Sequence, residues 1–121
     1  ENGGKVPMIR LSEMYLIAAE SGFNAHKDVA IGLLEELRKN RGIAEEISTT
    51  ITYDNFVKEL TREARREFIG EGQLFYWYKR LGLPVDQGST TITLEPSQFC
   101  LPLPATEVEF GGRKEDYLNN K

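Results

Sequence analysis

Four glutamates at four-residue intervals, Glu59, Glu63, Glu67 and Glu71, with Arg62, Arg65 and Arg66 set among them, form the densest group of reactive side chains in this sequence. Paired carboxylates are the machinery of glycoside hydrolysis, which needs two acids about 5–10 Å apart across a cleft. Successive turns of one helix would bring these acids that close. The arginines point the other way. A neighbouring guanidinium lowers a carboxyl pKa, the opposite of what a general acid requires. Ion pairing is therefore the expected chemistry, and no enzyme activity is expected. Glu59 with Glu63, and Glu63 with Glu67, are like-charge pairs at i, i+4, while Arg62 and Arg66 stand three residues from Glu59 and Glu63. Exposed opposite-sign contacts of this kind are worth only ~0.2–0.5 kcal/mol each, and they matter more when buried.

The second group is the aromatic run Phe75-Tyr76-Trp77-Tyr78, followed by Lys79-Arg80. Aromatic faces stack on sugar rings, and Tyr and Trp add a polar handle. Four consecutive helical residues point in all directions, however, so core or domain packing is the primary reading. Tyr76 and Trp77 are kept as candidate ligand contacts. The single cysteine, Cys100, offers neither an intrachain disulfide nor a thiol cluster and is expected to be a small buried hydrophobe. The single histidine, His26, sits beside Lys27 and Asp28 in a predicted turn and is expected to be exposed. No phosphate loop, dinucleotide fingerprint, zinc spacing or nucleophile elbow is present. No metal and no cofactor are expected.

The net charge of −4 argues against non-specific nucleic-acid binding, and the interleaved glutamates make the arginine cluster a mixed-charge, ion-paired face. No apolar run reaches the ~18 residues of a membrane span. The chain opens on Glu1-Asn2-Gly3-Gly4 without Met, the start expected of a fragment.

These groups must be positioned by helices. Leu11, Met14, Tyr15, Ala18 and Ala19 follow helical spacing, and Gly22 marks an end. Asp28 is the expected cap of a second helix, whose apolar positions are Ala30, Leu33, Leu34 and Leu37 and whose last turn carries Arg38, Lys39 and Arg41. Gly42 is the expected left-handed terminator. The two make an antiparallel hairpin of tetratricopeptide-like size, with one apolar face uncovered. Thr52 or Asp54 starts a third helix along Phe56, Val57, Leu60, Ala64 and Phe68. Gly70-Glu71-Gly72 interrupts it. A shorter helix follows from about Gln73 to Arg80, with Leu74, Phe75, Tyr78 and Leu81 on one side, and Pro84 prevents its continuation. The rest is irregular. Thr90–Leu94 is a candidate edge strand, Leu101-Pro102-Leu103-Pro104 must be extended, and Thr106-Glu107 begins a helical turn.

Four blocks, taken in order, resemble the SusD/RagB family. Arg10-Leu11-Ser12-Glu13-Met14-Tyr15-Leu16 with Ala18-Ala19-Glu20 resembles its Arg-Leu/Tyr-x-Glu helix running into Ala-Glu-Ala. Leu37-Arg38 with Asn40-Arg41-Gly42 resembles the end of the next helix. Glu63-Ala64-Arg65-Arg66-Glu67-Phe68, Glu71-Gly72, Phe75-Tyr76 and Lys79-Arg80-Leu81-Gly82 resemble the Glu-Arg-Arg-x-Glu…Glu-Gly…Lys-Arg-Trp-Gly block. Leu101-Pro102-Leu103-Pro104 with Glu107 resembles the closing Leu-x-Pro-Ile-Pro-x-x-Glu. Gln73 stands where the family usually has Arg, and Trp77 where it has Asp.

The resemblance implies a mainly α, SusD-like fold: the tetratricopeptide-like hairpin, two further helices and an irregular Pro-containing C-terminal segment, with residues 1–121 as one C-terminal unit. It implies a lipid-anchored nutrient-binding protein on the extracellular face of the outer membrane of Bacteroidetes-type bacteria. Such a protein binds an oligosaccharide or other nutrient and partners a SusC-like TonB-dependent transporter, without enzyme activity or nucleic acid. Its membrane contact is a lipid anchor outside this segment. Arg10, Glu13, Glu63, Arg66, Glu67 and Glu71 then become structural ion-pair candidates that tie helices together. The rival reading is a free-standing tetratricopeptide-like adaptor for a protein partner. A carbohydrate-active enzyme fragment is a weaker third.

Overall fold

The structure, a computed structural model, describes residues 10–100 and 109–111. It divides into two units, Glu1–Leu74 and Phe75–Lys121. The fold is mainly α: α1 (Leu11–Gly22), α2 (Lys27–Lys39) and α3 (Tyr53–Glu67) build the first unit, and α4 (Gln73–Leu81) leads into the second.

In the first unit, α1 packs against both α2 and α3. The connection between α1 and α2 is only Phe23–His26, so the two helices form a hairpin. Its seam is built from Leu16, Ala19 and Phe23 on one side and Ala30, Ile31, Leu34 and Leu37 on the other, all buried. Burying a Leu or Phe completely is worth about 1.5–3 kcal/mol, so these residues dominate the unit's stability. The stripe expected for α1 is rotated. Leu11 is 73% exposed, and Met14 and Ala18 are also exposed, while Leu16 turns inward. Residues 14–19 are almost all apolar, so periodicity alone does not choose the buried face. The bulky anchor Phe23 does: its ring stacks on Phe56 of α3 at 4.5 Å and lies 5.6 Å from Tyr53. Leu11, Met14 and Ile17 are left as an exposed apolar face of α1.

Asp28 does not cap α2. His26 holds the N-cap position with no side-chain bond, and Asp28 lies in the first turn, where its charge suits the helix dipole. At the other end, Gly42 takes φ +79°, a conformation other residues rarely adopt. The turn this permits lets the Ile43 N–H donate back to the Arg38 carbonyl at 3.0 Å. The connector to α3 is pinned where Glu35 Oε1 accepts from the Ile47 N–H at 2.8 Å, and Ile47 is buried. Thr52 caps α3 through its side chain. Phe56, Val57, Leu60, Ala64 and Phe68 form the expected buried stripe. Gly70 and Gly72, at φ +75° and +67°, end the helix as the sequence predicts.

In the second unit, α4 buries Trp77 and Tyr78, while Phe75 is exposed, contrary to the expected side. Lys79 Nζ donates to the Phe99 carbonyl at 3.0 Å, and the Phe75 and Phe99 rings meet at 5.6 Å. The expected strand shrinks to β2 (Thr91–Ile92), paired antiparallel with β1 (Val85–Asp86). Asp86 Oδ1 accepts from the Gly88 N–H at 2.8 Å and shapes the turn between them. A 3₁₀ turn, Pro96–Phe99, ends at Cys100, which is exposed and not buried as expected. The expectations for Leu101–Pro104, Thr106 and Glu107 fall outside the described residues.

Candidate functional site

The acids of α3 sit one helical turn apart, beside the apolar stripe. That position turns them toward α1 and α2, where the bases that meet them come from other elements. Glu63 is the centre and is 0% exposed. Its Oε1 accepts from Arg38 Nε at 3.0 Å and from Arg66 Nη1, and its Oε2 accepts from Arg41 Nη1 at 3.0 Å. Arg38, itself only 4% exposed, reaches on to Glu59, which also pairs with Arg62. Arg41 spans to Glu67, which accepts a further bond from the Ser12 hydroxyl. Arg10, in the extended residue before α1, contacts the Glu67 carbonyl at 3.5 Å and Glu71 Oε1 at 2.6 Å. The lattice thus runs from the end of α2, along α3, to the start of α1. Among the described residues no buried side-chain polar atom lacks a partner.

The electrostatics follow from this geometry. Burial alone would raise the Glu59 carboxyl, but the Arg38 hydrogen bond and the charges of Arg62 and Arg38 outweigh it and hold it below its ordinary value. Burial likewise opposes the charge on Arg38, yet its bonds to Glu59 and Glu63 raise its pKa. Arg10 is raised chiefly by its hydrogen bond to Glu71, then by that residue's charge, with Glu67 and Glu13 adding to it.

Of the residues singled out in the sequence, Arg10, Glu63, Arg66, Glu67 and Glu71 lie in this lattice, and Glu13 acts on Arg10 through its charge. Sequence reasoning named Glu59 with Arg62 but left out Arg38, Arg41 and Ser12 as members. The available signal was the row of acids itself: four carboxylates at i, i+4 repel one another and need cations from another element. Arg38 and Arg41 were legible only as complements to a helix dipole.

Chemically the lattice is closed. Its central carboxylate has no access to solvent and three guanidiniums upon it. It joins α2 and the start of α1 to α3. A family model described as the SusD family matches residues 1–114. The chain belongs to the SusD family. Searches of curated proteins and of solved structures return no match. The SusD family is a family of nutrient-binding proteins. Among the described residues of this SusD-family chain, no helix is long and apolar enough to cross a membrane, and no cluster of three metal-ligating side chains occurs.

The aromatic candidates part company. Tyr76 is 70% exposed, while Trp77 is buried with the Arg80 guanidinium 5.1 Å from its ring centre. Of these two, Tyr76 is the one exposed to solvent.

The depressed Glu59 carboxyl makes stability depend on pH with a defined sign. Its folded value lies below its unfolded one, so its contribution is complete above the ordinary carboxylate value of ~4.3 and is lost as pH falls through the folded value. The Glu59 contribution to thermal stability should be constant from neutral pH down to the ordinary carboxylate range and be lost below it. Glu59→Gln should flatten that loss. Equal acid slopes for the two proteins would remove Glu59 from the account.

Proposed function

We propose that this SusD-family chain is scaffold: the C-terminal helical part of a cell-surface, lipid-anchored glycan- or nutrient-binding protein. In this reading the parent protein holds an oligosaccharide and delivers it to a SusC-like TonB-dependent transporter in the outer membrane. It has no enzyme activity and takes no cofactor. The observation that supports the scaffold role is the sealed Glu63 carboxylate with Arg38, Arg41 and Arg66 upon it. A reacting carboxylate needs access to substrate, whereas a bracing one needs burial and saturated partners. Arg10, Glu67 and Glu71 extend the brace to the start of α1. Tyr76 is the candidate ligand contact on the second unit.

Affinity purification of the parent protein from solubilised outer membranes is the direct test. A TonB-dependent transporter should co-purify. The same sample should retain an oligosaccharide from a glycan panel and release no shortened product. Hydrolysis of a retained glycan would refute the non-enzymatic reading, and purification without any transporter would remove the partnership. The adaptor alternative draws on the exposed apolar face of α1, Leu11, Met14 and Ile17. Retention of a soluble protein partner through that face, with no glycan bound, would favour it.

A further inference from the structure

The lattice faces inward, and its arginines do not all stay with it. Arg62 is 65% exposed at its side chain, Arg66 is half-exposed, and Arg65 is exposed and makes no ion pair among the described residues. A guanidinium carries five N–H donors, and Arg62 and Arg66 each use one on a glutamate of their own helix. Those glutamates would not be stranded if the two arginines turned outward. Glu63 would keep Arg38 and Arg41, and Glu59 would keep Arg38. Arg62, Arg65 and Arg66 are exposed together, whereas Glu63 is buried and Glu59 and Glu67 are only partly exposed. An overall acidic chain therefore carries one locally basic strip. Lys58 extends it by a turn, with its Nζ bonded to the Asn55 side chain.

The strip borders an open groove of about 640 Å³ lined by Arg62, Arg65, Arg66, Ile69, Gly70 and Leu74. Ile69 is 75% exposed, a large β-branched side chain set against three guanidiniums. We propose that this groove docks an acidic segment of a partner polypeptide that also carries an apolar side chain. Arg62 and Arg66 stand one turn apart, about 6 Å along the axis. They suit two carboxylates at the same spacing, each bound bidentately. Arg65 adds a third donor set, and Ile69 with Leu74 receives the apolar residue. An open trough covers too little of a small ligand, since small-molecule sites enclose most of theirs. A polypeptide lies along it instead. Nucleic acid fits less well, because the strip is short, the groove lining holds no aromatic ring and the chain as a whole is negative. This inference stands on the groove alone and is independent of the receptor reading.

The test is a fluorescence-anisotropy titration of the 121-residue chain against a labelled helical peptide with Glu at i and i+4 and Leu between them. Binding is expected at low salt and should weaken strongly at about 0.5 M NaCl, where screening shortens to a few ångströms. Arg62→Glu with Arg65→Glu should weaken it at least about tenfold. Arg65→Gln should weaken it about threefold with unchanged melting, because that side chain makes no ion pair among the described residues. Ile69→Ser should also weaken it. Equal binding of a peptide with Gln in place of Glu overturns the proposal, as does unchanged affinity in Arg65→Gln. So does a preference for phosphatidylglycerol vesicles or a single-stranded oligonucleotide over the acidic peptide. If the double-charge variant fails to fold, Arg65→Gln and the Gln peptide decide.

Discussion

Replacing Glu63 by alanine is expected to lower stability by about 3–5 kcal/mol, the range for removing one partner of a buried ion pair. The loss comes less from the bonds broken than from the charge left behind. Arg38 is nearly as buried as Glu63 and would keep only Glu59. Arg41 can fall back on Glu67, and Arg66 can turn to water. For a chain of this size the melting temperature should drop on the order of 15 °C, and urea unfolding should show the same free-energy change. The double variant Glu63→Leu with Arg38→Met removes both buried charges and keeps the volume, so it should recover most of the loss. That recovery separates a stranded charge from a lost contact. Glu71→Ala should cost far less, since Glu71 and its partner Arg10 both reach solvent. An alanine variant at 63 melting within about 3 °C of the parent would show that the lattice does not brace these helices.

Phe56→Ala should be comparably damaging, at about 3–5 kcal/mol. Phe56 is fully buried and its ring stacks on Phe23 at an interplanar angle of 29°. Phe23 lies at the corner of the α1–α2 hairpin, so this pair joins α3 to the hairpin through apolar contact. Truncation leaves a cavity that the helices on either side cannot fully close, and it removes a ring pair worth about 0.5–1.5 kcal/mol beyond its area. Phe56→Leu should retain more than half of the stability at stake, because most of the volume remains. A Phe56→Ala loss under about 1 kcal/mol would mean that the ring pair does not carry the junction.

The two variants divide the labour within the first unit. Apolar stripes supply the drive to pack, and that drive is non-directional. Charge pairs have fixed geometry. Arg38 and Arg41 must lie opposite Glu63 and Glu67, or a charge is buried without a partner. Register is thus set by what the fold cannot leave unpaired. The same device accounts for the basic groove: the acids are drawn inward by the other helices, and Arg62, Arg65 and Arg66 are left outside.

Much of this protein was legible without coordinates. Helix positions followed from spacing, from Thr52 at the start of α3 and from Gly42, Gly70 and Gly72 at the breaks, because capping and left-handed backbone are local properties of residue type. The buried stripe of α3 was equally plain, since Phe56, Leu60 and Ala64 stand out against charged neighbours. Family membership followed from four ordered blocks. Other features needed the packed chain. The spacing put Leu11, Met14 and Ala18 on the inward face of α1, whereas Leu16, Ala19 and Phe23 are the buried residues, with Phe23 stacked on Phe56. Trp77 and Tyr76 are adjacent and chemically alike, yet one is buried and the other exposed. Arg38 and Arg41 lie more than twenty residues from Glu63, and no local rule pairs them with it. Short-range propensity is written along the chain, whereas desolvation and long-range charge pairing exist only once the helices meet.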